Sequence, residues 1–350
     1  MPRIAYLVSS AREMDFRDSP KHPTGYWAEE AIKSYERFVA AGAEVVVITP
    51  DGKPPVADPY GLEPIFHYPD EDRDFFATVY RTFHQDPEDI RITLRQTTEL
   101  ELVACRRIAK RLTDAGKTPA EAHALLAKAA KIAWRQDRLL VDVMLGEKLD
   151  GGLSESALRE AVAELEADSQ ALSDERRAKL DAIPGFRSPV ALSDLSDAEM
   201  AEFDAVFAPG GHGPMVDLAD NPDARRLLGI LHAKNKPIGS LCHGVALLLS
   251  APERQDGQWL FEGYRLTSFT DEEEDQNRLG KLGMPWYLDS ALKNAGAVFD
   301  DGPFAWVSHV VVDRNLITGQ QPNSTEATAD ALLKALNLPL TARTVARGHA

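Results

Sequence analysis

The stretch Lys236–Ser250, KPIGSLCHGVALLLS, joins a short apolar run to a longer one at a cysteine. Pro237, Ile238 and Leu241 are too few for a helix, whereas Val245–Leu249 stay apolar long enough to bury a helix face. The change of period falls at Cys242 and His243, so the spacing predicts a strand that turns abruptly into a helix. Ser240-Leu241-Cys242-His243-Gly244 has the form of a nucleophile elbow, in which small flanking residues let the backbone double back and present the reactive atom. A thiol at the start of a helix is expected to be shifted toward thiolate by the positive end of the helix. The competing expectation is that Cys242 is a small buried hydrophobe, as most free cysteines are.

Elements elsewhere in the chain must hold that corner in place. Arg3–Ser9 and Glu44–Thr49 read as buried strands separated by an amphipathic helix from about Trp27 to Ala41, closed by Gly42. The alternation returns with a strand at Ala205–Ala208, a helix at Pro222–Lys234, the elbow strand, and strands at Val307–Val312 and Leu316–Thr318. Strands alternating with helices imply a mostly parallel sheet covered on both faces, with ligands at the carboxyl ends of the strands, where Cys242 falls. Between about Tyr60 and Leu180 the pattern turns helical. Glu99–Ala115 ends at Gly116, Thr118-Pro119-Ala120-Glu121 has the form of a capping box, and Ser154 opens a helix toward Leu172. Leu125, Leu126, Ala129, Ile132, Ala133, Leu139, Leu140 and Val143 cover more than one stripe of a single expected helix, so it should pack on more than one neighbour. The expected organisation is an α/β core over residues 1–60 and 181–350, carrying an all-helical insertion over 61–180.

Composition narrows the function classes. The 350 residues are 44% hydrophobic, ample for a core, and the formal charge of −16 argues against a nucleic-acid surface. No apolar run is long enough for a membrane span, and the start MPRIAYLVSS lacks the features of a signal peptide, so a cytoplasmic protein is expected. The two cysteines, Cys105 and Cys242, make no disulfide framework. No metal site is expected: His22, His67, His84 and His123 show no paired ligand spacing, and H-E-x-x-H and C-x-x-C are absent. Neither a dinucleotide fingerprint nor a Walker loop occurs.

The elbow SLCHG, the phrase FAPGGHGPMVDL (Phe207–Leu218), LTSFTDEEE (Leu266–Glu274) and LITGQQPNSTEATADALL (Leu316–Leu333), in that set, resemble the ThiJ/PfpI family of the class I glutamine-amidotransferase-like superfamily. Thr24-Gly25 followed by Glu30, with the TD-x-x-E phrase after the elbow, is most similar to the heat-shock-protein-31-like branch, which contains glutathione-independent glyoxalase III enzymes and chaperones. The resemblance implies a flavodoxin-like sandwich and covers Met1 to about Tyr60 and about Pro184 to Leu336. It does not extend to the helical insertion. It puts the nucleophile on Cys242, the adjacent histidine on His243, a buried acid on Glu30 and the orienting acid on Glu274, with Glu273 and Asp271 as alternatives for that last role. The amides of Gly211 and His243 would form an anion hole beside Gly210.

The chemistry this set implies is addition of a thiolate to an aldehyde, proton transfer between adjacent carbons by Glu30 or His243, and hydrolysis of a thioester, with no cofactor. For each residue a plainer role competes. Glu30 sits among solvated Glu29 and Glu36, His243 could be a helix N-terminal residue satisfied by the backbone, His212 is either a donor into the pocket or a structural loop residue, and Asp271–Asp275 could be a solvated loop. Tyr26 and Trp27 are candidates for substrate contact, or for packing alone, and Cys105 reads as core. The function expected is a glyoxalase III-type conversion of a 2-oxoaldehyde to a 2-hydroxy acid, in a homodimer acting on a small molecule. The rivals are another cysteine enzyme of the superfamily, an amidase, peptidase or isonitrile-hydratase-like activity, and a stress chaperone or redox sensor whose thiol is oxidised.

Overall fold

The computed structural model describes residues 1–64, 67–83, 101–136, 138–277, 279–303 and 305–340. His84 and the start of the helix expected from Glu99 lie outside them. The chain divides into two compact units, one of Met1–Gly61, Ala178–Glu274 and Leu282–Ala350, the other of Leu62–Arg177 and Asp275–Lys281.

The strands of the first unit are β1 (Arg3–Leu7), β2 (Glu13–Phe16), β3 (Ser19–Pro23), β4 (Glu44–Thr49), β5 (Val190–Ala191), β6 (Ala205–Ala208), β7 (Ile238–Leu241), β8 (Arg265–Leu266), β9 (Val298–Phe299), β10 (Val310–Asp313) and β11 (Leu316–Gly319). Seven form one sheet in the order β10-β11-β7-β6-β1-β4-β5. Every pairing in it is parallel except β10 with β11. β1, β6 and β7 have near-continuous apolar sequences and are buried throughout but for Arg3, as strands covered on both faces must be. The helices Ala28–Ala40 and Thr325–Ala335 pack side by side on the sheet, tied by Arg37 to Asp330. Pro222–Ala233 and the segment after the elbow pack together on β7. Tyr6 stacks on Phe207 at 6.0 Å and sends its hydroxyl to the carbonyl of Ala31, so the core under β1 also fixes the helix Ala28–Ala40, on which Glu30 lies. The architecture is the flavodoxin-like α/β fold expected.

Three features depart from the sequence reading. The run Cys242–Ser250 is a 3₁₀ helix rather than an α-helix. Val245–Leu248 are fully buried, and a Cβ on Gly244 would lie 2.6 Å from the carbonyl oxygen of Ala208, so packing on every side, not one amphipathic face, shapes this segment. A β2–β3 hairpin had no signal, because its strands carry charges and prolines and only Met14 and Phe16 alternate inward. The last strand pair begins at Val310, not Val307.

The second unit has a core of its own around Ile108, Leu112, Leu126, Ala129, Val143 and Leu165, and Cys105 lies in it fully buried. Thr118 and Glu121 form the expected reciprocal cap of the helix Pro119–Gln136. That helix does not continue to Val143. The chain is extended at Leu139 and restarts as Leu140–Gly146, whose first turn donates from Val141 N to the buried Glu101 carboxylate at 3.1 Å. Buried Asp72 is held by paired bonds from Arg106 and Arg107. The helix Glu155–Ala182 runs ten residues beyond Leu172, since ALSDERRAKLDA contains no breaker before Pro184.

Gly25 is the tightest backbone crossing near the site: a Cβ there would sit 2.1 Å from the carbonyl oxygen of Val56. Gly25→Ala is expected to destabilise the protein by about 1–3 kcal/mol through overpacking. Chemical denaturation measures it, and an unchanged midpoint would mean that the crossing is looser than described.

Candidate active site

The site is built where the ends of β6 and β7 meet the start of the helix Ala28–Ala40. Cys242, at the end of β7, has φ +56°, a left-handed conformation uncommon for a side chain of this kind and consistent with a strained elbow. Ser240 anchors the strand end by donating to Ala208 O at 3.0 Å. Glycines take up the crowding around the corner. A Cβ on Gly210 would lie 2.6 Å from Cys242 Cβ and 2.9 Å from Glu30 Oε2, and one on Gly211, at φ +93°, would lie 2.5 Å from Trp27 N. Only glycine fits either position.

Glu30 is fully buried, and its Oε2 accepts the Gly210 amide at 2.6 Å. Its Oε1 is buried with no hydrogen-bond partner, and the Cys242 thiol lies near enough to the carboxyl group to favour its ionised form. Burial raises Glu30 to about 8, against the pull of the Gly210 amide and the thiol. Burial and the nearby Glu30 also raise the Cys242 thiol, although the Gly211 and His243 amides favour the thiolate. This corrects the expectation that the corner depresses the thiol. Removing two neighbouring anions from water outweighs two amide dipoles, so the resting pair shares protons rather than charges.

On the other side of the thiol, His243 Nδ1 lies 3.4 Å from Cys242 Sγ and its Nε2 lies 2.6 Å from Glu274 Oε2. The other oxygen of Glu274 is 3.1 Å from His212 Nε2. Glu274 therefore bridges two imidazoles that contact each other at 4.0 Å. Burial alone would raise Glu274, but His212 and His243 hold it well below the usual carboxylate range. Burial, and then the charge of His212, lower His243 to about 4. Burial works against His212 too, yet Glu274 raises it. An ionised Glu274 only accepts, so Nε2 of His243 carries the hydrogen and Nδ1 is left as a lone pair facing the thiol.

The structure thus brings together Cys242, His243, Glu30, Glu274, Gly210, Gly211 and His212. Among the three acids open as the third member, Glu274 reaches His243; Glu273 turns to Trp306 and Gln320, and Asp271 to Ser290. A sequence signal sets one of the three apart: Thr270 and Glu273 form a capping box, which commits Glu273 to the start of the helix, while the choice between Asp271 and Glu274 rests on tertiary contacts. Asp271–Gln276 is accordingly a helix, not a solvated loop. Tyr26 and Trp27 enter through their backbone, Trp27 N donating to Gly210 O at 2.8 Å, while the Tyr26 ring packs against Phe186 and the Trp27 ring against Tyr60. Sequence reasoning passed over Phe16, edge-on to His212, and Phe269, stacked on His243 at 4.4 Å. His212, His243 and Glu274 place one donor atom each within 4.8 Å, close enough to hold a cation, but both Nε2 atoms and both carboxylate oxygens are already engaged with one another.

The fold and this corner define an α/β protein with a cysteine at the carboxyl end of a central parallel strand. Residues 157–335 match the DJ-1/PfpI family, and the chain belongs to that family. The matched span holds Cys242, His243 and Glu274; Glu30 comes from outside it. The chain is 34% identical over 152 residues to glutamine amidotransferase-like class 1 domain-containing protein 1 of Bos taurus, covering 43% of this chain and 66% of that protein. It is 32% identical over 150 residues to the protein/nucleic acid deglycase HchA of Pseudomonas aeruginosa, covering 40% and 50%. It is 27% identical over 152 residues to glyoxalase 3 of Candida albicans, covering 42% and 64%. The matches thus span half to two thirds of those relatives' length. The crystal structure of glyoxalase III from Candida albicans superposes with a TM-score of 0.55 over 95% of this chain and 97% of that one, at 16% identity, a likeness of fold. Among the described residues no helix is long and apolar enough to cross a membrane.

Because Glu30 is raised from 4.5 to about 8, the folded state binds its proton more tightly than the unfolded chain. Its contribution to stability is complete below about pH 4.5 and is lost as the pH climbs through 8. Glu30→Gln should remove that loss, so the stability difference in favour of the variant grows between those limits, by at most roughly 1.4 kcal/mol per pH unit. Denaturation at a series of pH values reads it; parallel curves for the two proteins would contradict the burial of an ionisable Glu30.

Proposed function

We propose that the protein is a cysteine-dependent enzyme that converts a small 2-oxoaldehyde to the corresponding 2-hydroxy acid without glutathione. The observation that carries this reading is the placement of one thiol between a neutral imidazole 3.4 Å away and a buried carboxyl group whose pKa is near 8. The relatives named glyoxalase 3 and deglycase HchA support it.

In the proposed sequence Cys242 Sγ attacks the aldehyde carbon as its proton passes to His243 Nδ1. The aldehyde oxygen becomes an oxyanion beside the amides of Gly211 and His243, and takes the proton back from the imidazolium to give a neutral hemithioacetal. Glu274 holds the ring in the accepting tautomer and stabilises its charged form. Glu30 in its ionised form then removes the hydrogen from the thiol-bearing carbon, giving an enediolate; the hydroxyl proton of that carbon passes to the neighbouring oxygen as Glu30 returns its proton to the neighbouring carbon. A carboxyl group poised near the working pH can both take and return a proton. The product of that step is a 2-hydroxyacyl thioester. Water cleaves it, restoring the thiol and releasing the 2-hydroxy acid; the aldehyde carbon is oxidised, its neighbour reduced, and no outside electron carrier is involved.

Purified protein with methylglyoxal, and no glutathione, is expected to form lactate. Cys242→Ala should abolish this, and Glu30→Gln should lower kcat by roughly 10²–10⁴-fold. Lactate formation that survives Cys242→Ala overturns the thiol mechanism.

A further inference from the structure

Glu273 is the second buried carboxylate of the helix Asp271–Gln276, and none of its bonds goes to the thiol group of residues. Its Oε2 accepts from the amide and hydroxyl of Thr270, both at 3.1 Å. Its Oε1 accepts from Trp306 N at 2.7 Å and from Gln320 Nε2 at 2.9 Å. Gln320 in turn accepts from Gly302 N at 2.8 Å. One carboxylate and one amide thus pin the backbone at both Gly302 and Trp306.

Trp306 is held in a conformation it would not choose alone. Its φ is +66°, a genuine outlier for so bulky a residue, and its carbonyl accepts from Asn323 Nδ2 at 2.8 Å. Such a conformation persists only where the surroundings over-determine it, and outliers of this kind cluster at functional sites. The indole has a contact that leads back to the thiol. It packs edge-on to Phe269 at 5.6 Å, and Phe269 lies against the imidazole of His243 at 4.4 Å with only 29° between the planes.

We infer that Trp306 is a positioning residue of this site: through Phe269 it fixes the plane of the His243 ring, and with it the approach of Nδ1 to Cys242 Sγ, while Glu273 is the anchor that holds Trp306. The inference rests on reading Cys242 as the reactive atom, but not on the identity of the substrate. A 3.4 Å contact between sulfur and nitrogen is sensitive to ring rotation, and a misplacement of about 1 Å can cost on the order of 10²-fold in rate.

The test is the rate at which iodoacetamide alkylates Cys242 as a function of pH, followed by mass spectrometry of its peptide, with the buried Cys105 as an internal control. Trp306→Ala is expected to shift the pH profile and slow alkylation at neutral pH by roughly tenfold. Trp306→Phe, which keeps an aromatic edge, should recover most of the loss, and Glu273→Gln should fall between. Kinetics with methylglyoxal should show the change in kcat rather than KM. Superimposable alkylation profiles for wild type and folded Trp306→Ala overturn the inference. Should that variant fail to fold, Asn323→Ala and Glu273→Gln carry the same test, and profiles unchanged in both overturn it equally. A wild-type protein that makes no lactate, yet whose Cys242 reactivity depends on Trp306, sinks the proposed reaction and leaves the positioning role standing.

Discussion

The site depends on one close approach of backbone to side chain. Gly210 lies where a Cβ would collide with both Cys242 and Glu30, and its amide is the hydrogen-bond donor that holds the Glu30 carboxyl group. Three parts of the chain, the first turn of the helix Ala28–Ala40, the loop after β6 and the elbow after β7, therefore share a volume that admits no methyl group. Interiors are packed as densely as organic crystals, so a fit of this kind is rigid. The consequence is electrostatic. A carboxyl group and a thiol are pressed together out of water, where neither ionises readily beside the other.

The second half of the site solves the opposite problem. Glu274 is as thoroughly buried as Glu30, yet it is held ionised, because each oxygen meets an imidazole. Two carboxyl groups on either side of one cysteine thus sit at opposite ends of their titration range, one neutralised by desolvation and the other ionised by partners. That separation is what assigns acid and base roles in a shared pocket. His212 is part of the device rather than a loop residue, since its charge lowers the proton affinity of His243 and leaves that ring free to accept.

Glu273 and Glu274 show how little sequence distance decides. The capping box that starts their short helix turns Glu273 back onto Thr270 and out toward Trp306 and Gln320, while the next residue faces His243. The family match contains this helix and the elbow but leaves out the segment that carries Glu30 and the hairpin bearing Phe16. Part of the site's electrostatics therefore comes from outside the matched span. The second unit keeps a core of its own and buries Asp72 against two arginines.

The sequence by itself determined what depends on local pattern. The strands at Glu44–Thr49 and Ala205–Ala208, the elbow at Cys242, the Thr118 capping box and the parallel architecture all follow from apolar period, glycines and caps, which act over a few residues. The grouping of Cys242, His243, Glu30 and Glu274 came from the resemblance of the motifs to a known family, not from local pattern. Only the tertiary structure decided which acid meets His243, that the run after the elbow is 3₁₀, that His212 shares the carboxylate, and that the thiol is raised rather than depressed. Each of these turns on what lies across a gap from a distant part of the chain, and on how much water that packing excludes, quantities that no local pattern carries.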